Sequence, residues 1–148
     1  MLGMKSKLAE VIHTSFKLHF DFVTPFEETQ LLSELSQRLK RFNWNDGHFD
    51  GKIVNYREFM ISDTSQFPKL SSIVLPSVKK YFRNKALLPI HVLELRMDGK
   101  INPHIDNKEY SGSIIAGLSL LRESNLVLSN SFETEKIKLP RRSLYIQK

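Results

Sequence analysis

Cysteine is absent from this 148-residue chain. No disulfide can staple the fold and no thiolate can hold a metal. A hydrophobic core must therefore carry the stability, and any metal site must be built from histidine and carboxylate. The absence does not identify a compartment. Apolar runs are short, and none is long enough to cross a bilayer. Histidine is scarce: His13, His19, His48, His91 and His104 are the five, and none follows His104. Acidic residues are outnumbered 16 to 22 by Lys and Arg, for a net charge of +6 and a pI near 9.6. That balance permits contact with nucleic acid or an anionic membrane without requiring it. The basic residues are spread out. Arg38/Lys40/Arg41 and Lys79/Lys80/Arg83/Lys85 read as the solvated faces of helices, and Arg141/Arg142 forms a third small group. With neither a recognition helix nor aromatics clustered on a basic strand face, a nucleic-acid-binding β-domain ranks last among the readings.

An apolar content of 41% and a charged content of 26% suit one globular domain with a real core. Residues 1–20 are acid-poor, with Leu8, Val11, Ile12 and Phe16 near one helical face. They allow two readings, a mitochondrial targeting segment or an N-terminal segment packed on the domain. Thr24-Pro25-Phe26-Glu27 is a helix start, with Thr24 as N-cap, Pro25 at N1 and Glu27 closing a capping box. Leu31, Leu32, Leu35, Leu39 and Phe42 follow at helical spacing, so a helix is expected to about Arg41. Asn43–Gly51, with Trp44 and His48, reads as a polar loop. Lys52–Ile61 allows a strand or hairpin. Ser65–Arg83 has a helical apolar side that Pro76 must break or kink. From Ile90 onward short β-rich segments follow one another: IHVLELR, KINPHID, SIIAGLSLL, NLVLSN, EKIKL and SLYIQ. Gly112 and Gly117 are expected at bends or close backbone approaches.

The chain is organised around Leu93–Leu121. At its centre His104 and Asp106 are separated only by Ile105. On a strand, residues two apart share a face, so the pair would aim an imidazole nitrogen and a carboxylate oxygen into one space. That is two thirds of the 2-His-1-carboxylate set that holds non-haem Fe(II). The tripeptide alone is a weak signal, and a His and Asp facing solvent at a strand end is the plainer reading of it. The flanks add to it: DGKINPHID, the run GSIIAGLSLL, the terminal SLYI and, more faintly, NWNDGHFDGKIVNYREF. Together these resemble the AlkB-like Fe(II)/2-oxoglutarate-dependent dioxygenases, in particular their mitochondrial branch, over most of the chain from about Phe22.

The resemblance implies an α+β fold, a double-stranded β-helix (jelly roll) braced by N-terminal helices, with residues 21–148 as the dioxygenase domain. It implies His104 and Asp106 as iron ligands, 2-oxoglutarate and oxygen as co-substrates, and Tyr145 as the residue whose hydroxyl reaches 2-oxoglutarate. A sheet aromatic with its hydroxyl at the surface is the equal alternative for Tyr145. It further implies a mitochondrial role in fatty-acid and energy metabolism and in programmed necrosis. The segment ahead of the core is short for a base-gripping lid, so a protein substrate ranks above direct nucleic-acid repair, with mitochondrial RNA a further option. The family's third iron ligand, a His after the SLYI strand, and its co-substrate arginine on the last strand have no counterpart up to Lys148. The expectation is a C-terminally incomplete oxygenase lacking its final strands. The alternative is a catalytically inactive β-helix scaffold that binds a partner protein. His91 is not placed opposite His104 by the family's topology, and Arg141 and Arg142 precede Tyr145. Neither the substrate nor the oligomeric state is legible.

Overall fold

The computed structural model describes residues 6–47, 49–83 and 85–148, with the backbone alone at Lys108. His48 lies outside the described residues, as do the first five residues of the N-terminal segment. Among the described residues the fold is mixed α+β with three antiparallel sheets. The chain divides into two compact units, one formed by the residues up to Glu28 together with Ser113–Lys148, the other by Thr29–Gly112. Among the described residues no helix is long and apolar enough to cross a membrane.

The first unit begins with helix α1 (Lys7–Ser15), capped by the Ser6 hydroxyl on the Ala9 N–H. The chain then turns extended as β1 (Phe16–His19). Helix α2 (Pro25–Leu39) starts as the sequence predicts. The Glu27 N–H donates to Thr24 Oγ1 at 3.1 Å and the Thr24 N–H donates to Glu27 Oε2 at 2.8 Å, so both halves of the capping box close. Its first turn belongs to this unit and the remainder to the second.

In the second unit α2 buries Leu31, Leu35 and Leu39, one side of the predicted stripe. The predicted loop at 43–51 contains a short strand, β2 (Asn45–Gly47), which pairs with β3 (Ile53–Ile61). A 3₁₀ turn (Thr64–Gln66) leads into a helical stretch whose opening N–H groups, on Lys69 and Leu70, both donate to the Glu34 carboxylate at 2.9 Å. Pro76 does not stop that stretch. The turn ahead of it, Leu70–Val74, widens to a π-helix, and α3 (Leu75–Lys79) carries on. A proline ring crowds the carbonyl one turn back, and one extra residue in that turn relieves the clash. Phe42, Phe59 and Phe67 stack in a row with ring centroids 5.8 Å apart.

The sequence places two strands, IHVLELR and KINPHID, on either side of Asp98-Gly99. The structure instead forms one strand, β4 (Ile90–Ile101), antiparallel to β3. The turn signal becomes a wide bulge: two steps along β3, Tyr56 to Val54, face five along β4, Leu95 to Lys100. Gly99 is required there, since a Cβ would lie 2.4 Å from the Asn55 carbonyl oxygen. Asn55 takes a positive φ of 53° and its amide holds Asp98 Oδ2 at 3.0 Å. The strand ends before the motif, and a short helix, α4 (Lys108–Ser111), closes the unit.

The rest of the first unit is β-rich: β5 (Ile115–Leu118), β6 (Ser124–Ser129), β7 (Thr134–Leu139) and β8 (Leu144–Gln147). The order β1-β8-β5 makes one sheet, and β6 and β7 form a separate hairpin. Leu144 and Ile146 bury one face of β8, together with Val23 and Leu139 in the core. The row Leu18, Tyr145 and Gly117 crosses the opposite face.

Candidate functional site

His104 and Asp106 come together, though not by strand geometry. Asn102–Asn107 is irregular chain between β4 and α4. The pairing predicted from a two-residue strand spacing is produced instead by a loop pinned at both ends. Upstream, the Asn102 N–H donates to the Lys52 carbonyl at 2.7 Å, and its side-chain amide donates to the Gly51 carbonyl at 2.8 Å. Downstream, Asn107 caps α4, its Oδ1 accepting from the Glu109 N–H at 2.9 Å. Between them Ile105 is 93% exposed.

The imidazole is held on both edges. Nδ1 lies 2.8 Å from the Asn102 carbonyl oxygen, and Nε2 lies 3.0 Å from Asp106 Oδ1. Both neighbours are acceptors. A neutral imidazole has one N–H. Given to the Asn102 carbonyl, it leaves the Nε2 lone pair facing a carboxylate. Nε2 and Oδ1 thus stand side by side as potential donor atoms. A backbone carbonyl on the far ring nitrogen is also the arrangement that orients a metal-ligating histidine. The two side chains thus suit two positions of a 2-His-1-carboxylate centre. No group of three His, Cys, Asp or Glu side chains able to hold a metal stands together among the described residues. The donor set there is two thirds of such a centre and does not complete it.

His91 takes no part. Its Nε2 pairs with Glu58 across β3 and β4. Tyr145 belongs to the other unit. Its ring stacks on Phe16, centroids 5.6 Å apart and planes 11° apart, and lies over Gly117. The close approach expected at Gly117 is therefore made by a ring and not by backbone. Arg141 is committed elsewhere. Its guanidinium grips Glu28 through Nε at 2.8 Å and Nη2 at 2.7 Å, and the Leu121 N–H adds a third donor at 3.1 Å. Glu28 is 1% exposed. Burial by itself would raise its pKa. The Arg141 hydrogen bonds, the Leu121 N–H and the charges of Arg141 and Arg142 outweigh that and hold it below the ordinary value of 4.5. Arg142 reaches Asp21 Oδ1 at 3.4 Å.

One cluster escaped the sequence reading. Arg57 bonds Glu94 at 2.6 Å, and the guanidiniums of Arg57 and Arg96 lie 4.5 and 4.8 Å from the Trp44 ring centre. Arg57 lies 13 residues from Trp44, and Arg96 lies 52 from it. Only the β2–β3–β4 register joins them, and no local signal could have found them.

No family model matches the chain. Curated relatives do. It is 36% identical over 135 residues to the mouse (Mus musculus) protein named alpha-ketoglutarate-dependent dioxygenase alkB homolog 7, mitochondrial, a match covering 87% of this chain and 60% of the relative. It is 35% identical over 115 residues to the bovine (Bos taurus) protein of the same name, covering 76% of this chain and 51% of the relative. An uncharacterized protein of Acanthamoeba polyphaga mimivirus is 27% identical over 146 residues, 90% of this chain and 67% of that one. The chain thus spans about half to three fifths of the length of the mouse and bovine relatives.

Proposed function

The chain belongs to the AlkB-like dioxygenase family, and from that membership we propose that it provides part of an Fe(II)/2-oxoglutarate-dependent oxygenase centre. Alpha-ketoglutarate in the relatives' names is 2-oxoglutarate. Their names also place the chain in the mitochondrion. His104 and Asp106 supply two of the iron's ligands, and Tyr145 reaches the co-substrate. The sheets are read as portions of a double-stranded β-helix. Residues 21–148 count as the dioxygenase domain, with the segment before them open between targeting and packing.

The observation that carries this reading is the His104 ring. Its Nδ1 lies against a backbone carbonyl and its Nε2 stands 3.0 Å from Asp106 Oδ1, so an imidazole nitrogen and a carboxylate oxygen are side by side as two ligands of one ion would be. Bound Fe(II), with 2-oxoglutarate and oxygen, supplies oxidative decarboxylation of the co-substrate coupled to hydroxylation of a substrate. The chain's own part is to hold and orient: Asn102 fixes the ring edge and Asn107 sets the start of α4 behind Asp106. The substrate class is a protein or mitochondrial RNA, within a role in fatty-acid and energy metabolism and programmed necrosis.

Mn(II), a redox-stable substitute for Fe(II), tests the site. Titration followed by electron paramagnetic resonance should show one bound ion, lost in His104→Ala and in Asp106→Ala. Equal uptake by the parent and both variants would sink the assignment. A second reading has its own support, the lack of a third donor beside the pair among the described residues. It makes the chain a catalytically inactive scaffold for a partner protein. Mn(II) uptake by a protein that, when supplied instead with Fe(II) and oxygen, releases no succinate from 2-oxoglutarate would favour it.

A further inference from the structure

Trp44, Arg57, Glu94 and Arg96 all belong to the second unit. Asn45 pairs with Tyr56, so Trp44 falls beside Arg57, and Arg57 pairs in turn with Glu94. The three lie in one row across the sheet. Arg96, two residues on from Glu94, reaches the same indole. This cluster has a surplus of donors. Arg57 spends Nε on Glu94, and its two Nη groups make no hydrogen bond to a described residue. The Arg96 guanidinium has neither a carboxylate nor a hydrogen-bond partner among the described residues, and the Trp44 indole N–H has no acceptor there. These donors reach solvent, since the fully buried side-chain polar atom without a partner among the described residues is Arg142 Nε. Glu94 is the one carboxylate set against two guanidiniums, which leaves a single positive charge over.

A flexible arginine loses rotamer freedom when it closes on an anion. Here the indole removes part of that cost. Guanidiniums 4.5 and 4.8 Å from the Trp44 ring centre are held by cation–π attraction before any ligand arrives. We propose that this cluster is a docking site for an acidic segment of a partner protein, one carboxylate of which closes on the Arg96 fork. Geometry and charge select that partner. A guanidinium fork matches the two oxygens of a carboxylate. Arg57 already holds one, that of Glu94, at 2.6 Å. A single surplus charge suits a singly charged group. A run of phosphates needs a line of unpaired cations, and it would stand against the Glu94 carboxylate. With 22 basic residues to 16 acidic ones, the chain as a whole also favours an acidic partner. The inference does not depend on a metal at His104 and Asp106.

Trp44 is the only tryptophan, so its fluorescence reads the site directly. Titration of the protein with hexaglutamate at fixed, low ionic strength should change that signal saturably. Arg96→Gln should weaken the affinity about tenfold. Arg96 is exposed, so its variants should unfold at the parent's temperature. Lys79→Gln removes the same charge from another exposed position of the unit and should bind as the parent does. Arg96→Lys keeps the charge without the fork and should recover the affinity only in part. Full recovery would leave attraction without a built site and overturn the proposal. No saturable change with hexaglutamate, or equal weakening in Lys79→Gln and Arg96→Gln, would overturn it as well. So would tighter, Arg96-dependent binding of a uridine hexanucleotide, which would turn the site over to nucleic acid.

Discussion

Glu28–Arg141 and His104–Asp106 are both pairs of a basic side chain with a carboxylate, and they differ in what is left over. Glu28 is buried and fully donated to: two guanidinium nitrogens and a backbone N–H meet its two oxygens. Nothing further fits there, and its work is structural. It joins the start of α2 to the turn carrying Leu121 and to Arg141 ahead of β8. His104 and Asp106 are partly exposed, with side chains 27% and 48% accessible. Both edges of the ring meet acceptors, and the pair stays open to solvent. A buried, fully donated pair holds a fold together, and an accessible one can meet a ligand.

That contrast is open to measurement. The largest effect expected is on stability. Glu28→Ala strips the acceptor from the Leu121 N–H and the partner from Arg141 and should cost about 3 kcal/mol. In thermal unfolding that is a fall of about 6–12 °C. His104→Ala without metal should stay within about 0.5 kcal/mol of the parent. Equal losses would erase the distinction. Next comes the metal. At free Mn(II) one hundred times Kd the parent should gain about 2.7 kcal/mol, Glu28→Gln should gain as much over its own baseline, and His104→Ala should gain nothing.

A smaller effect should separate the role of the pinned loop from that of the ligands. Asn102→Ala removes the amide bond to Gly51 while leaving both donors in place. Mn(II) affinity should fall about tenfold, as for the loss of a supporting residue around a metal ligand, and calorimetric titration would read it. The smallest concerns acid. Because Glu28 is held below its ordinary pKa in the fold, its contribution is complete above pH 4.5 and disappears as pH falls through the depressed value. Urea unfolding between pH 6 and 3 should show a steeper acid limb in the parent than in Glu28→Gln. Parallel limbs would mean that the pair contributes no pH-dependent stability.

Local chemistry was legible in the sequence wherever a few neighbouring residues settle it. The capping box at Thr24 and Glu27, the stripe of Leu31, Leu35 and Leu39, and the trouble at Pro76 all lie within one or two turns of chain. The four segments from SIIAGLSLL to SLYIQ did become strands, though Ser113–Leu121 is extended only over Ile115–Leu118. Asp98-Gly99 misled, because the same dipeptide serves a turn or a bulge, and pairing with β3 selected the bulge. The predicted loop at 43–51 likewise acquired β2 only through β3. Nothing local to Glu28 points to its role, since its partner lies 113 residues away.

By itself the sequence determined that a metal here must be held by imidazole and carboxylate, that His104 and Asp106 are the pair to examine, and where α2 begins. Those follow from residue chemistry and from torsions a few bonds long. Tertiary structure alone decided that the pair is assembled by a loop tied to Gly51 and Lys52, that Arg141 serves Glu28, and that the Tyr145 ring rests between Phe16 and Gly117. Each joins residues distant in the chain. Strand register and burial set such meetings, because they exist only once the backbone's own hydrogen bonds have chosen their partners.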